Sequence, residues 1–320
     1  MSLFESILLR DEASGAVAKI LPALGFNCHS FQIAAADGPL EVLWSAKRFA
    51  ERHESPSGSG VPILFPFPGR IREGRFAFRG KEYHLSTRGD GRGNAIHGFV
   101  LDRPWSVVER GAGHVTGRFR ASDVDGSLLD QWPADFCLTA RYELTGNRLS
   151  CGFTIENPDT RWLPWGLGTH PYFRVPLGRK GRGDDCRIRV PTESRWELDE
   201  LLPTGKTVPA SEHYALAGGI RFADSRFDDV FGSLASQGGI CTARIDDHAN
   251  GRRLVLEFDS AFDTCVVYNP PHRQAISIEP YTCVPDPFTL AAQGIDSGLR
   301  TLAPGETFSA KMAITVDSLG

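Results

Sequence analysis

Alternation of apolar and polar residues with a period of two runs through the chain. In RLSCGFTIEN, Leu149, Cys151, Phe153 and Ile155 alternate with polar neighbours. RLVLEF repeats the pattern with Leu254, Leu256 and Phe258, and FSAKMAITV repeats it with Phe308, Ala310, Met312, Ile314 and Val316. Successive side chains of a strand point to opposite faces. Each run therefore predicts a half-buried strand with its apolar side turned inward. Turn residues separate such runs. Arg79-Gly80-Lys81 follows FAF, and Thr145-Gly146-Asn147 joins RYEL to RLSCGF, so both predict hairpins. Helical periodicity is weak everywhere, and Ser122 to Trp132 has room for a short turn of helix at most. The stretches ERHESPSGSG (51–60) and GRKGRGDD (178–185) read as exposed loops. No internal repeat or linker-like change of composition divides the chain. The expectation is one all-β domain over residues 1–320, a large antiparallel β-sandwich or barrel with few short helices.

Composition sharpens this picture without changing it. The 34 glycines and 21 prolines suit many short connections and oppose long helices. With 41% hydrophobic and 23% charged residues, the chain has the balance of a globular protein with material for a core. A formal net charge of −4 and no long basic run argue against a nucleic-acid partner. MSLFESILLRDEASG lacks the basic start and long apolar core of a signal peptide. No apolar run approaches the roughly 18 residues of a membrane-spanning helix, so no membrane partner is expected. The seven cysteines, at 28, 137, 151, 186, 241, 265 and 283, are odd in number and form no CxxC pair. Neither a disulfide framework nor a zinc knuckle is indicated, and a reducing cytoplasm is the expected compartment.

Several familiar chemistries are missing from the sequence. There is no GxSxG, no HExxH, no Walker loop and no GxGxxG following a strand. The glycine-rich RGDGRGNAIHGF (88–99) lacks the Lys-Ser/Thr ending of a phosphate loop, and no helix-like segment follows it. What remains is a set of polar residues in apolar, turn-rich settings. Arg70 lies in PILFPFPGRIREG, His97 in NAIHGFVLDRPW and His170 in GLGTHPYF. Asp228 and Asp229 lie in RFDDVF, and Glu279 ends the apolar run AISIEP. Each also has a structural account. Arg70 could neutralise a carboxylate, the histidines could donate to carbonyls, and Glu279 could cap a turn. A charged residue at the end of a buried strand is costly unless paired, so Glu279 needs a partner.

Taken in order, PILFPFPGRIREGRF, AIHGFVLDRPW, GLGTHPYFRVP, FDDVF and ISIEPYTCVPDPFTL resemble the successive motifs of the aldose 1-epimerase (mutarotase) family. LRTLAPGETFSAKMAI resembles that family's last strands, so the resemblance runs from about Leu8 to Val316. It implies a galactose mutarotase-like supersandwich that interconverts the α and β anomers of a free sugar. Ring opening needs one group to take the anomeric hydroxyl proton and another to protonate the ring oxygen, with no metal or other cofactor. By motif match, Glu279 would be the base and His170 the acid. His97 would bond near the ring oxygen, and Arg70 and Asp228 would bind sugar hydroxyls. Asp229 is the weaker of the acidic pair, because adjacent strand residues face opposite ways.

The chain departs from the best-known galactose mutarotases, which typically have asparagine where Arg174 stands. They also usually carry glutamine at Val266 and tend to carry histidine at Asp229. The acid–base pair is kept, whereas the sugar is left open. The partner is then a small-molecule sugar, with the chain a monomer or homodimer. A hexose-6-phosphate 1-epimerase would need extra cations at the pocket rim, for which Arg72 and Arg75 are available. A non-catalytic carbohydrate-binding module would have no reason to keep both histidines and Glu279.

Overall fold

The alternating runs become neighbours in the centre of a ten-stranded antiparallel sheet. A computed structural model describes residues 5–51, 55–87 and 89–319. In it Arg148–Glu156 pairs with Thr307–Ser318, which pairs in turn with Arg252–Asp259. Leu149, Ile314 and Leu256 form one cross-strand row, and all three are buried. Both expected hairpins form. Phe78 faces Lys81 across Arg79-Gly80, and these two residues have φ of 49° and 79°, the sign a type I′ turn requires at both positions. Thr145 faces Arg148 across the second turn.

A second sheet of eight strands carries Asp228, Asp229 and Glu279. Its order is Leu202–Pro209, Thr192–Asp199, Asp228–Leu234, Thr264–Tyr268, Ala275–Tyr281, Gly168–Thr169 and Ile63–Leu64, with Tyr172–Arg174 also paired to Ala275–Tyr281. One face of this sheet supplies Phe231, Val267, Ile276 and Ile278 to the same hydrophobic core as Phe153, Leu256 and Ile314 of the ten-stranded sheet. The Thr169 hydroxyl meets the Met312 sulfur at 3.3 Å, tying the two sheets across that core. Side chains on the opposite face alternate with these. Asp228, Tyr268 and Ser277 lie in one cross-strand row there, and Val230, Val266 and Glu279 lie in the next. Ala275–Tyr281 is buried along its whole length, so the second face is covered at this strand, while it opens toward the exposed Asp228.

Two four-residue helices, Ala121–Val124 and Leu128–Gln131, occupy the segment where a helical turn was expected. A third helix, Pro287–Ala292, was not foreseen. Six residues are too few to display a helical period. Residues 178–185 form a largely exposed loop as expected. The expected exposed loop at 51–60 needs correction. Residues 52–54 lie outside the described ones, and Ser59 and Gly60 are buried. Gly60 packs against Asn27 so closely that a Cβ would lie 2.3 Å from its Oδ1. Among the described residues, no helix is long and apolar enough to cross a membrane.

Candidate active site

Five of the six singled-out residues line one cavity of about 230 Å³: Arg70, His97, His170, Asp228 and Glu279. They come from five separate parts of the chain. The short strand Arg70–Ile71 pairs with Ala95–Ile96, with Arg70 opposite Ile96. This sets Arg70 beside His97. His97 takes a left-handed φ of 64°, and its N–H donates to the Gly69 carbonyl at 2.8 Å. The next residue must be glycine, since a Cβ on Gly98 would lie 2.1 Å from the Phe65 carbonyl oxygen. Strain of this kind at a non-glycine residue persists only where its surroundings enforce it. Here the enforcement turns the His97 ring edge-on to His170, with centroids 5.6 Å apart.

His170 and Glu279 form the centre of the cavity. His170 Nε2 lies 3.1 Å from Glu279 Oε1, and the two residues are 7% and 1% exposed. The other atom of each group is already engaged. Tyr281 donates its hydroxyl to Glu279 Oε2 at 2.7 Å, and His170 Nδ1 lies 2.8 Å from Ser277 Oγ. Oε1 has no aligned hydrogen-bond donor among the described residues. Burial pushes the Glu279 carboxyl well above the usual range, against the Tyr281 hydrogen bond. Burial, with His97 adding to it, pushes His170 well below the ordinary imidazole value. His97 is pushed down to about 3 by burial and then by the charge of Arg70. Burial thus disfavours the charged form of both groups, so that a single proton can lie on either of them.

The acidic pair in RFDDVF is split by the strand. Asp228 shares its face with Val230 and lines the cavity. Asp229 is on the face of Phe231, where its carboxylate meets Arg195 Nη1 at 3.0 Å. Arg174 also serves elsewhere, donating from Nε to the Leu43 carbonyl at 2.9 Å. Neither Arg72 nor Arg75 reaches the cavity. Arg72 is paired with Asp286, and Arg75 is exposed on the first strand of its hairpin.

Several residues of the site escaped sequence reasoning. Asp90, in the glycine-rich segment set aside above, accepts from Arg70 Nε at 2.7 Å and from Asn94 Nδ2 at 2.9 Å. It anchors one edge of the guanidinium and leaves the other nitrogens to the cavity. Residue 88 of that segment lies outside the described residues. Ser277 and Tyr281 sit two residues before and after Glu279, so strand alternation from Glu279 was the available signal. Tyr172, in the THPYF motif itself, stacks on His170 with centroids 4.7 Å apart. No three His, Cys, Asp or Glu side chains gather as a metal site requires among the described residues.

The fold recurs in known proteins. A galactose mutarotase-like protein of Clostridium acetobutylicum superposes with a TM-score of 0.87 at 24% identity, covering 99% of this chain and 97% of the other. An uncharacterised protein of Escherichia coli K12, YihR, is 24% identical over 280 residues, 84% of each chain. Rat galactose mutarotase is 30% identical over 149 residues, 44% of this chain and 40% of the relative. The family model for aldose 1-epimerase matches residues 7–315, and the chain belongs to that family.

Proposed function

We propose that the protein is a cofactor-independent aldose 1-epimerase acting on a free sugar. One observation carries the reading. Glu279 Oε1 and His170 Nε2 belong to two proton-exchanging groups and stand 3.1 Å apart in a small cavity, with the Tyr172 hydroxyl a more distant neighbour of Nε2 at 3.5 Å. A hemiacetal presents two oxygens on one carbon, which suits two exchange atoms so close together.

The step balances without any other reactant. Oε1 takes the proton of the anomeric hydroxyl, the C1–O bond to the ring oxygen breaks, and its electron pair leaves with that oxygen. His170 Nε2 supplies the proton the ring oxygen needs. The open aldehyde turns about C1–C2, and the reverse transfers close the ring on its other face. Arg70 and Asp228 supply donors and an acceptor for the remaining hydroxyls. His97, held neutral, contributes hydrogen bonding without adding positive charge beside His170. Residues 1–320 act in this reading as one catalytic domain, in the cytoplasm, with a sugar as the only partner required.

The 6-phosphate reading has less support, although Arg92 lies near enough to Asp228 to act on its carboxyl. Among the described residues lining the cavity, Arg70 is the one cation, and Asp90 already occupies its Nε. The test is polarimetry or NMR of freshly dissolved α-anomers of a panel of aldoses, with glucose 6-phosphate included. Equilibration of at least one free aldose well above its spontaneous rate is expected. A clear advantage for the phosphate ester would replace the substrate class. No acceleration for any sugar, with binding retained, would leave a carbohydrate-binding module.

A further inference from the structure

We propose that Ser277 and Tyr281 are positioning residues that fix which atoms of His170 and Glu279 exchange protons. The proposal rests on the acid–base reading above and adds to it how the pair is held. Of the four residues that the Ala275–Tyr281 strand turns to the cavity side, the three with polar side chains take part, at positions 277, 279 and 281. They are 0%, 1% and 1% exposed, so water does not compete for their bonds.

Ser277 has one hydroxyl hydrogen and two neighbours within 3 Å, with the Glu279 carboxyl a further acceptor in reach. Its Oγ lies 2.9 Å from the Pro171 carbonyl oxygen, which can only accept, and 2.8 Å from His170 Nδ1. The hydrogen therefore goes to Pro171, and Nδ1 must donate to the Ser277 lone pair. This places the proton of neutral His170 on Nδ1 and leaves Nε2 bare. The chemical consequence is large. A proton given from Nε2 then comes from an imidazolium and leaves a neutral ring. In the other tautomer, giving up the Nε2 proton would leave an imidazolate, a far worse outcome. The Ser277 contact makes His170 a competent acid as well as an oriented one.

Tyr281 performs the matching task for Glu279. Its hydroxyl holds Oε2 and leaves Oε1 toward Nε2 and the cavity. The ring is itself confined. Tyr281 pairs in register with Gly168, where a Cβ would come within 2.7 Å of Tyr281 Cδ1 and 2.6 Å of Pro68 Cβ. This is why GLGTHPYF needs glycine at 168: it opens the slot for the ring that holds the carboxylate. A bare Nε2 facing a bare carboxylate oxygen would set lone pairs against each other. The resting pair thus shares one proton; with that proton on Nε2, Oε1 takes the proton of O1 while Nε2 gives its own to the ring oxygen, and the pair again holds one, now on Oε1.

The test uses the full chain. In sugar-free protein, ¹⁵N NMR of the His170 ring, assigned by its loss in His170→Asn, should show a protonated Nδ1. Ser277→Ala should release the tautomer and lower kcat roughly 10–100-fold, the range known for outer-shell partners of metal-bound histidines, with KM within about threefold. Tyr281→Phe should move the acid limb of the kcat/KM profile to higher pH. Its lost hydrogen bond no longer favours the ionised carboxylate, while Asp228, Arg70, His97, Tyr172 and Tyr268 still surround the pair. An unprotonated Nδ1 in the unmutated protein would overturn the proposal. So would an unchanged tautomer and kcat in Ser277→Ala, or an unmoved acid limb in Tyr281→Phe. The ring measurement needs no turnover. If it shows the lock but no sugar is epimerised, the functional reading fails while the positioning stands.

Discussion

Replacing Glu279 with glutamine removes one capacity and preserves nearly everything else. The amide has almost the shape of the carboxyl, and its oxygen can still accept from the Tyr281 hydroxyl, now 2.7 Å from Oε2. Its NH₂ then occupies the place of Oε1, 3.1 Å from His170 Nε2. With Nδ1 donating to Ser277, Nε2 is an acceptor, so the new contact is satisfied. No buried carboxylate remains to be ionised. The variant should be at least as stable as the parent, since removing a costly buried charge with its hydrogen bonds intact is neutral or favourable. What is lost is acceptance of the anomeric proton. Positioned proton transfer is worth roughly 10²–10⁴-fold, about 3–5 kcal/mol of barrier. Polarimetry of a fresh α-anomer of the best sugar in the panel should show kcat reduced by that factor. Thermal melting should show no loss of Tm, and sugar should still bind. His170→Asn should cause a similar loss, and the double variant should be little worse than either, because one step needs both groups. A Glu279→Gln protein within about fivefold of the parent would refute the assignment of Glu279 as the base.

Asp90→Asn should loosen Arg70 and raise KM about tenfold with a smaller effect on kcat, the scale of one charge-assisted hydrogen bond; steady-state kinetics on the same sugar checks it. Asp229→Asn should leave kcat/KM within about twofold yet cost about 1–3 kcal/mol in urea unfolding, because its partner Arg195 lies on the core side of the sheet. Acid should destabilise the fold. Burial holds His29 down to about 4 and His97 to about 3, so between about pH 6.5 and those values the unfolded chain binds protons the native state refuses. Stability should therefore fall as pH drops through that window, and His29→Asn should flatten the slope measured by denaturant titration at pH 4.5 and 7.

The strands were legible because burial on one face imposes a period of two, and Leu149–Ile155 and Leu254–Phe258 obey it. Glu279 was legible for the opposite reason, as a charge where the pattern allowed none. The same rule separates Asp228 from Asp229: one strand sends them to different faces. Asp90 was hidden because loops carry no period. Its place beside Arg70 depends on a 20-residue excursion through the Arg75–His84 hairpin and on a two-residue strand pairing at Ile96. Ser277 and Tyr281 were visible as letters but not as partners. Whether Ser277 meets His170, 107 positions away, depends on Tyr172 pairing with Ser277 across two strands. Composition and alternation do not encode that register.

The register also explains the balance of forces at Glu279. Its cross-strand neighbour is Val266, and the next in the row is Val230. These side chains offer no hydrogen bond, so on that side nothing relieves the desolvation that pushes the carboxyl up. Tyr281 relieves it from within the strand. A glutamine at 266 would supply a second polar neighbour and could contact a sugar hydroxyl. Valine there offers no such contact and keeps water from the carboxyl. One residue thus bears on two properties at once: which hydroxyl pattern the cavity can recognise, and how tightly Glu279 holds its proton. Sugar selectivity and the pH range of activity should therefore be coupled in this chain through the Val230–Val266–Glu279 row. They are physically inseparable there, because the apolar surface that fails to recognise a hydroxyl is the surface that excludes water from the carboxylate.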